Sequence, residues 1–186
     1  PRTNLLTASA FFFAAAAALA CGSKAPAVLP AIEPDAAVEA KVEQVLKGMT
    51  LEEKVGQMVQ ITIDYITNDT HDDVDPAKMD ILFGKYKVGS VLNVLQGHSF
   101  DRVKTADYIS KIQESSMKNI GIPCIYGLDM IHGASYLTDG SFYPQEINLG
   151  ATFNREYAQM MGHAMAYETR AAQCPWVFSP VMDLGR

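Results

Sequence analysis

Residues 124–133 read CIYGLDMIHG, an apolar run that closes on Asp129 with His132 and Gly133 three and four places further on. Such a run suits a strand covered on both faces. A carboxylate at the end of a buried strand is costly unless it meets something polar. What Asp129 is for therefore decides how the chain is read.

Working outward, apolar runs of similar character occur at 88–95 (VGSVLNVL), 122–128 (IPCIYGL) and 176–183 (WVFSPVMD). Amphipathic segments separate them. Residues 101–118 carry Val103, Ala106, Tyr108, Ile109, Ile112 and Met117 at mostly helical spacing, and a later helix opens with Asn154 as its cap. Upstream, Val38, Val42, Val45, Leu46 and Met49 mark a first helix. Thr50 and Glu53 form a capping box for a second, whose stripe is Val55, Met58 and Val59. Strands alternating with helices predict an α/β fold with a parallel sheet covered by helices, either a barrel or an open sheet.

In both architectures ligands meet the loops beyond the carboxyl ends of the strands. Asp129 and His132 lie beyond one such end, Asn93, Gln96 and His98 near another, and Asp183 with Arg186 at the last. A carboxylate there can accept hydrogen bonds from ligand hydroxyls, and a neighbouring imidazole can orient it or add a donor. The same residues also fit a plainer reading, in which Asp129 caps a turn and His132 is an ordinary loop residue.

Other chemistries lack their signatures. No G-x-G-x-x-G, G-x-x-x-x-G-K-[ST] or H-E-x-x-H occurs, and Ser135 and Ser141 sit in no G-x-S-x-G. Residues 64–76 hold five aspartates and His71, but in no calcium-loop spacing, so an acidic surface loop is expected and no metal site. Met160, Met161 and Met165 cluster on one helix, as core packing would place them.

Hydrophobic residues make up 48% of the chain and charged ones 19%, which argues for a packed core. The formal charge of -6, without a local Lys/Arg cluster, argues against a nucleic-acid partner. Residues 1–21 (PRTNLLTASAFFFAAAAALAC) read as an export signal whose apolar part is too short for a comfortable span. Small residues before Cys21 and GSK after it resemble a bacterial lipoprotein processing site, with Cys21 lipidated; a plain cleaved signal or an internal helix are the alternatives. A lipid on Cys21 would be the chain's only membrane attachment. Residues 22–35 read as a tether and 36–186 as the folded part. Cys124 and Cys174 lie in apolar runs and are expected as buried, inert thiols. The chain opens on Pro1 and stops in mid-pattern at Arg186, so a fragment is expected.

Four stretches carry a family resemblance in order: TLEEKVGQMVQ (50–60), IPCIYGLDMIHG (122–133), FYPQEINLGATFN (142–154) and WVFSPVMDLGR (176–186). Together they resemble glycoside hydrolase family 3, the family of bacterial β-glucosidases. The resemblance implies a (β/α)8 TIM-barrel-type N-terminal domain, here truncated because such a barrel takes about 250 residues, followed by an α/β sandwich domain. It implies retaining hydrolysis of terminal β-D-glucosyl residues in β-glucosides or oligosaccharides, with no cofactor; the export signal, for its part, places the protein in the periplasm or at the outer membrane of a bacterium. The resemblance assigns Asp129 to gripping sugar hydroxyls and His132 and Gly133 to shaping the loop, and it places Pro144 and Gln145 in the next loop. Asp183 and Arg186 begin a stretch that normally continues Asp-Pro-Arg-Trp-Gly-Arg. The family's nucleophilic aspartate and its acid/base glutamate come later, so no catalytic residue is expected within these residues. The rival expectation is a non-catalytic carbohydrate-binding lipoprotein.

Overall fold

The computed structural model describes residues 34–182. The chain divides into two compact units, Pro1–Val45 and Leu46–Arg186. Residues 1–21, read as an export signal ending at Cys21, and all but the last two of the residues read as a tether lie outside the described part, as do Asp183 and Arg186. In the first unit, helix α1 (Ala36–Gly48) begins where the Asp35 carboxylate accepts the Ala37 amide hydrogen at 2.8 Å, and it continues past the unit's end.

The second unit opens as the sequence predicts. Helix α2 (Leu51–Gln57) has the full capping box: the Glu53 amide donates to Thr50 Oγ1 at 3.2 Å and the Thr50 amide to Glu53 Oε2 at 3.0 Å. Strand β1 (Gln60–Thr62) follows, then a 3-10 turn (Ile63–Ile66). Asp75 caps helix α3 (Pro76–Met79), which continues as a π-helical turn over Asp80–Lys85. Strand β2 (Ser90–Leu92) leads to helix α4 (Arg102–Asn119), capped by Asp101. Strand β3 (Ile125–Leu128) leads to the short helix α5 (Glu146–Ala151), to helix α6 (Arg155–Ala171) capped by Asn154, and to strand β4 (Trp176–Val177). The reading by periodicity nominated neither α3 nor α5, whose four and six residues are too short to show a period.

The four strands form one parallel sheet in the order β1-β2-β3-β4, with Thr62 opposite Leu92, Leu92 opposite Gly127 and Gly127 opposite Trp176. All four carboxyl ends therefore emerge along one edge. Helices α4 and α6 sit in the crossovers that parallel pairing requires.

The strands are shorter than the apolar runs. β2 stops at Leu92 because Asn93 turns into the left-handed region at φ 72°. β3 begins only at Ile125. Pro123 has no N–H to give a ladder, and the backbone of Cys124 pairs with a side chain instead: its amide donates to Gln113 Oε1 at 3.0 Å and its carbonyl accepts from Gln113 Nε2 at 2.7 Å. Ile125 is half exposed, so the run is not covered on both faces throughout.

The core gathers Phe83, Tyr108, Ile109, Ile112, Tyr126 and Leu128, each almost fully buried, with Phe83, Ile109, Ile112 and Leu128 each contributing about 1.5–3 kcal/mol by leaving water. Val103 and Met117, expected inside, face outward, while Thr105 and Ser116 are buried in their helix. Ser116 is tolerated there because its hydroxyl donates to the Ile122 carbonyl at 2.7 Å. Met161 and Met165 are buried as core packing predicts, whereas Met160 is exposed. Val55 and Met58 are also exposed. Gly56 is the buried residue of α2, because a Cβ there would stand 2.2 Å from the Tyr86 carbonyl oxygen; the gap lets the two backbones cross, and the Gly89 amide donates to the Gly56 carbonyl at 3.0 Å.

The acidic segment is a surface loop tied down by its own side chains. Asn68 accepts from the amides of Asp72 and Asp73, and the Lys78 ammonium donates to the Thr67 carbonyl at 2.7 Å. Among the described residues no group of three or more His, Cys, Asp or Glu is placed to hold a metal ion, and no helix is long and apolar enough to cross a membrane.

Candidate functional site

At the carboxyl edge, β1 and β2 are tied to one another. Asp64 accepts the Thr62 hydroxyl at 2.9 Å and the Gln96 amide at 3.0 Å, and Asn93 Nδ2 donates to Thr62 Oγ1 at 3.3 Å. The Asn93 carbonyl accepts a hydrogen bond from the buried Tyr126 hydroxyl, which joins the end of β2 to β3. His98 closes the 3-10 turn Leu95–Gly97 and is exposed.

Beyond β3 the backbone makes two tight turns, with the Met130 amide donating to the Leu128 carbonyl at 2.9 Å and the Ile131 amide to the Asp129 carbonyl at 2.8 Å. Asp129 is exposed, and among the described residues its carboxylate has no hydrogen-bond or ion-pair partner. A turn cap would accept a backbone N–H. This carboxylate accepts none from the described chain.

His132 is held from both sides. Its ring stacks on Phe142 with centroids 5.6 Å apart and planes 30° apart, and its carbonyl accepts the Tyr143 amide at 2.8 Å. Its Nδ1 is buried without a partner among the described residues. Gly133 has φ 78°, and a Cβ there would lie 2.5 Å from the Ser141 carbonyl oxygen and 2.5 Å from the Tyr143 ring. Only glycine fits, on both conformational and steric grounds.

The long loop that follows is fixed at three points. Leu137 bridges to Phe100, and the Thr138 amide donates to the Phe100 carbonyl at 2.9 Å. Asp139 accepts the Arg102 amide at 2.9 Å and stands 3.4 Å from the Arg102 Nε. Ser141 donates its amide and hydroxyl hydrogens to the two carboxylate oxygens of Glu168, at 2.7 and 2.6 Å. Pro144 and Gln145 lead exposed into α5. A second glutamate serves β4: Glu146 accepts the Ser179 hydroxyl at 3.1 Å and the Val181 amide at 3.0 Å.

The structure thus places Asp129, His132 and Gly133 in one constrained loop at the sheet edge that also carries Asn93 and Gln96. Sequence reasoning missed Ser141, Phe142, Tyr126, Glu146 and Glu168 as supporting residues. Their contacts span up to 33 or 35 positions and have no local signal.

A sequence model described as "Glycosyl hydrolase family 3 N terminal domain" matches residues 50–186. The chain belongs to glycosyl hydrolase family 3. A lysosomal beta glucosidase of Dictyostelium discoideum is 33% identical over 153 residues, covering 77% of this chain and 19% of the relative. A periplasmic beta-glucosidase of Salmonella typhimurium is 22% identical, covering 80% of this chain and 17% of that protein. The crystal structure of an exo-1,3/1,4-beta-glucanase from a Pseudoalteromonas species superposes with a TM-score of 0.67 at 31% identity, covering 80% of this chain and 18% of that one. The chain therefore spans about a fifth of the length of the family 3 relatives it matches. Within that span lie the whole four-stranded sheet and the Asp129 loop.

Proposed function

We propose that this chain is the first part of a (β/α)8 barrel in a β-glucosidase-like retaining glycoside hydrolase, and that Asp129 receives hydroxyls of a terminal non-reducing β-D-glucosyl residue. A sheet ordered 1-2-3-4 without reversal supports the barrel, because an open doubly wound sheet changes direction at a switch point. The observation that carries the site is the Asp129 carboxylate, exposed and unpartnered among the described residues, on a loop fixed by its neighbours. The activities named for the Dictyostelium and Pseudoalteromonas relatives support the substrate class.

Retention calls for two carboxyl groups about 5–5.5 Å apart, one nucleophile and one acid/base. Neither is assigned to these residues. Glu168 is engaged by Ser141, and Asp183 lies outside the described part. Asp129 instead contributes charged hydrogen bonds to hydroxyls, which are shorter and stronger than neutral ones. His132 and Gly133 shape its loop. The reading extends to residues 1–21 as an export signal with Cys21 as lipid attachment point, and 22–35 as tether. Its location would be the periplasm, in line with the name of the Salmonella relative, or the outer membrane through a lipid on Cys21.

The deciding experiment is Asp129→Asn in the full-length protein, assayed on an aryl β-glucoside with circular dichroism as fold control. The shape is kept and the charge lost, so kcat/KM should fall by about 10²-fold or more if the contacts tighten in the transition state. A variant within about twofold of the parent, well under 1 kcal/mol, would return Asp129 to a plain loop position.

A further inference from the structure

Helix α6 is anchored by Met161, Met165 and Thr169, all buried, and Thr169 directly follows Glu168. Glu168 is therefore fixed to the core, yet both its oxygens reach out to a single residue 27 positions earlier. The two bonds from Ser141, 2.7 Å from the amide and 2.6 Å from the hydroxyl, are charge-assisted and set that residue's place and orientation. Among the described residues the partners of this half-buried carboxylate are these two donors.

What Ser141 touches makes this more than a surface clamp. Its carbonyl oxygen faces the vacant Cβ position of Gly133, the next residue Phe142 bridges to Gly133 and stacks on the His132 ring, and the Tyr143 amide donates to the His132 carbonyl. These restraints on His132 and Gly133 all come from 141–143, and that segment hangs from Glu168. Asp129 lies three residues before His132.

We propose that Glu168 is a positioning residue for the Asp129 loop: it acts through Ser141, contacts no substrate, and sets where the Asp129 carboxylate meets the sugar. The inference rests on the sugar-binding reading of Asp129. A small displacement of a positioned group is enough to be felt in catalysis.

The test uses the full-length protein with Glu168→Gln, Ser141→Ala, Ser141→Thr and Asp129→Asn, singly and paired, with melting temperature recorded beside kinetics on an aryl β-glucoside. Glu168→Gln keeps one acceptor oxygen and sets an amide against a donor, so kcat/KM should drop about tenfold in folded enzyme. Ser141→Ala should lose about threefold, and Ser141→Thr should recover most of that loss by restoring the hydroxyl. In the Asp129→Asn background the Glu168→Gln loss should shrink to about twofold or less, a coupling that a purely structural clamp would not give. Should Glu168→Gln fail to fold, the Ser141 pair and its coupling to Asp129→Asn decide alone. A crippled Asp129→Asn beside folded Glu168→Gln and Ser141→Ala of parental kcat/KM overturns the inference by itself. A fully active Asp129→Asn overturns the sugar-site reading and the inference with it.

Discussion

The Asp73 carboxylate lies 2.6 Å from the Lys111 ammonium, joining the loop after β1 to the middle of α4. Lys104 stands 3.3 Å from the same oxygen, and Asp107 takes Lys111 at 2.8 Å. Burial is the largest single influence on Asp73 and pushes its carboxyl up, but the bonds from Lys111, the Val74 amide and Lys104 together outweigh it and hold it below the ordinary carboxylate range. Lys111 is held above the ordinary ammonium range by Asp107 first and Asp73 second.

Asp73→Asn should therefore cost about 1 kcal/mol at neutral pH, the partial exposure of the cluster screening it. A depressed folded pKa means that stability is present above the unfolded carboxylate value and lost as pH falls through the folded one. Urea midpoints of parent and variant should differ near neutrality and converge below about pH 4. For Lys111 the sign reverses: its contribution is present below the unfolded ammonium value and fades as pH rises through the folded one. An acid-independent gap between the two proteins would place the Asp73 contribution elsewhere.

Two glycines should respond in opposite directions to the same change. Gly133→Ala forces a Cβ onto the Ser141 carbonyl at positive φ and should destabilise by about 1–3 kcal/mol. Gly162→Ala, on helix α6 with nothing within 4 Å of the new methyl, should stabilise by roughly 0.5–1 kcal/mol. Thermal unfolding of the two variants checks this. A neutral Gly133→Ala would mean that the 131–143 loop rearranges easily.

The buried thiols should be inert in the native state. Desolvation pushes Cys124 up to about 12 and Cys174 to about 11, only partly offset by hydrogen bonding to the backbone. Alkylation by iodoacetamide should therefore be slow in buffer and rapid in urea. Fast native modification of either thiol would contradict the burial.

Local signals in the sequence survived folding better than regional ones. The Thr50 and Glu53 box and the Asn154 cap involve partners two or three residues away, and both are present as read. The apolar runs overstated the strands because what ended them was not hydrophobicity: Asn93 adopts a left-handed backbone, and the Cys124 backbone is claimed by Gln113. In the site, Asp129 was visible because a carboxylate closing an apolar run is unusual. Glu168 was not, since nothing within its own helix distinguishes a glutamate facing solvent from one that grips Ser141. The inward Thr105 and Ser116 and the outward Val103 likewise obey packing against neighbours that periodicity does not contain.

The join between β2 and β3 should be measurable through one hydroxyl. Tyr126 is fully buried, and its hydroxyl donates to the carbonyl of Asn93, the residue whose left-handed turn ends β2. Burial, with smaller contributions from Tyr108 and the two thiols, pushes the phenol well above its ordinary range, so it remains a donor at neutral pH. Tyr126→Phe removes that donor, keeps the ring, and leaves a carbonyl short of its partner at a cost of about 1–3 kcal/mol. The loss should be local before it is global. Once Asn93 is released, the Gln96 amide that donates to Asp64 at 3.0 Å should exchange its hydrogen faster, while the Lys104 amide, capped by Asp101 on α4, should lose protection only to the extent that overall stability falls. Hydrogen exchange read by NMR at those two amides separates the cases. Equal loss at both would mean that the hydroxyl supports the core as a whole, and no loss at either would mean that water replaces it at the Asn93 carbonyl.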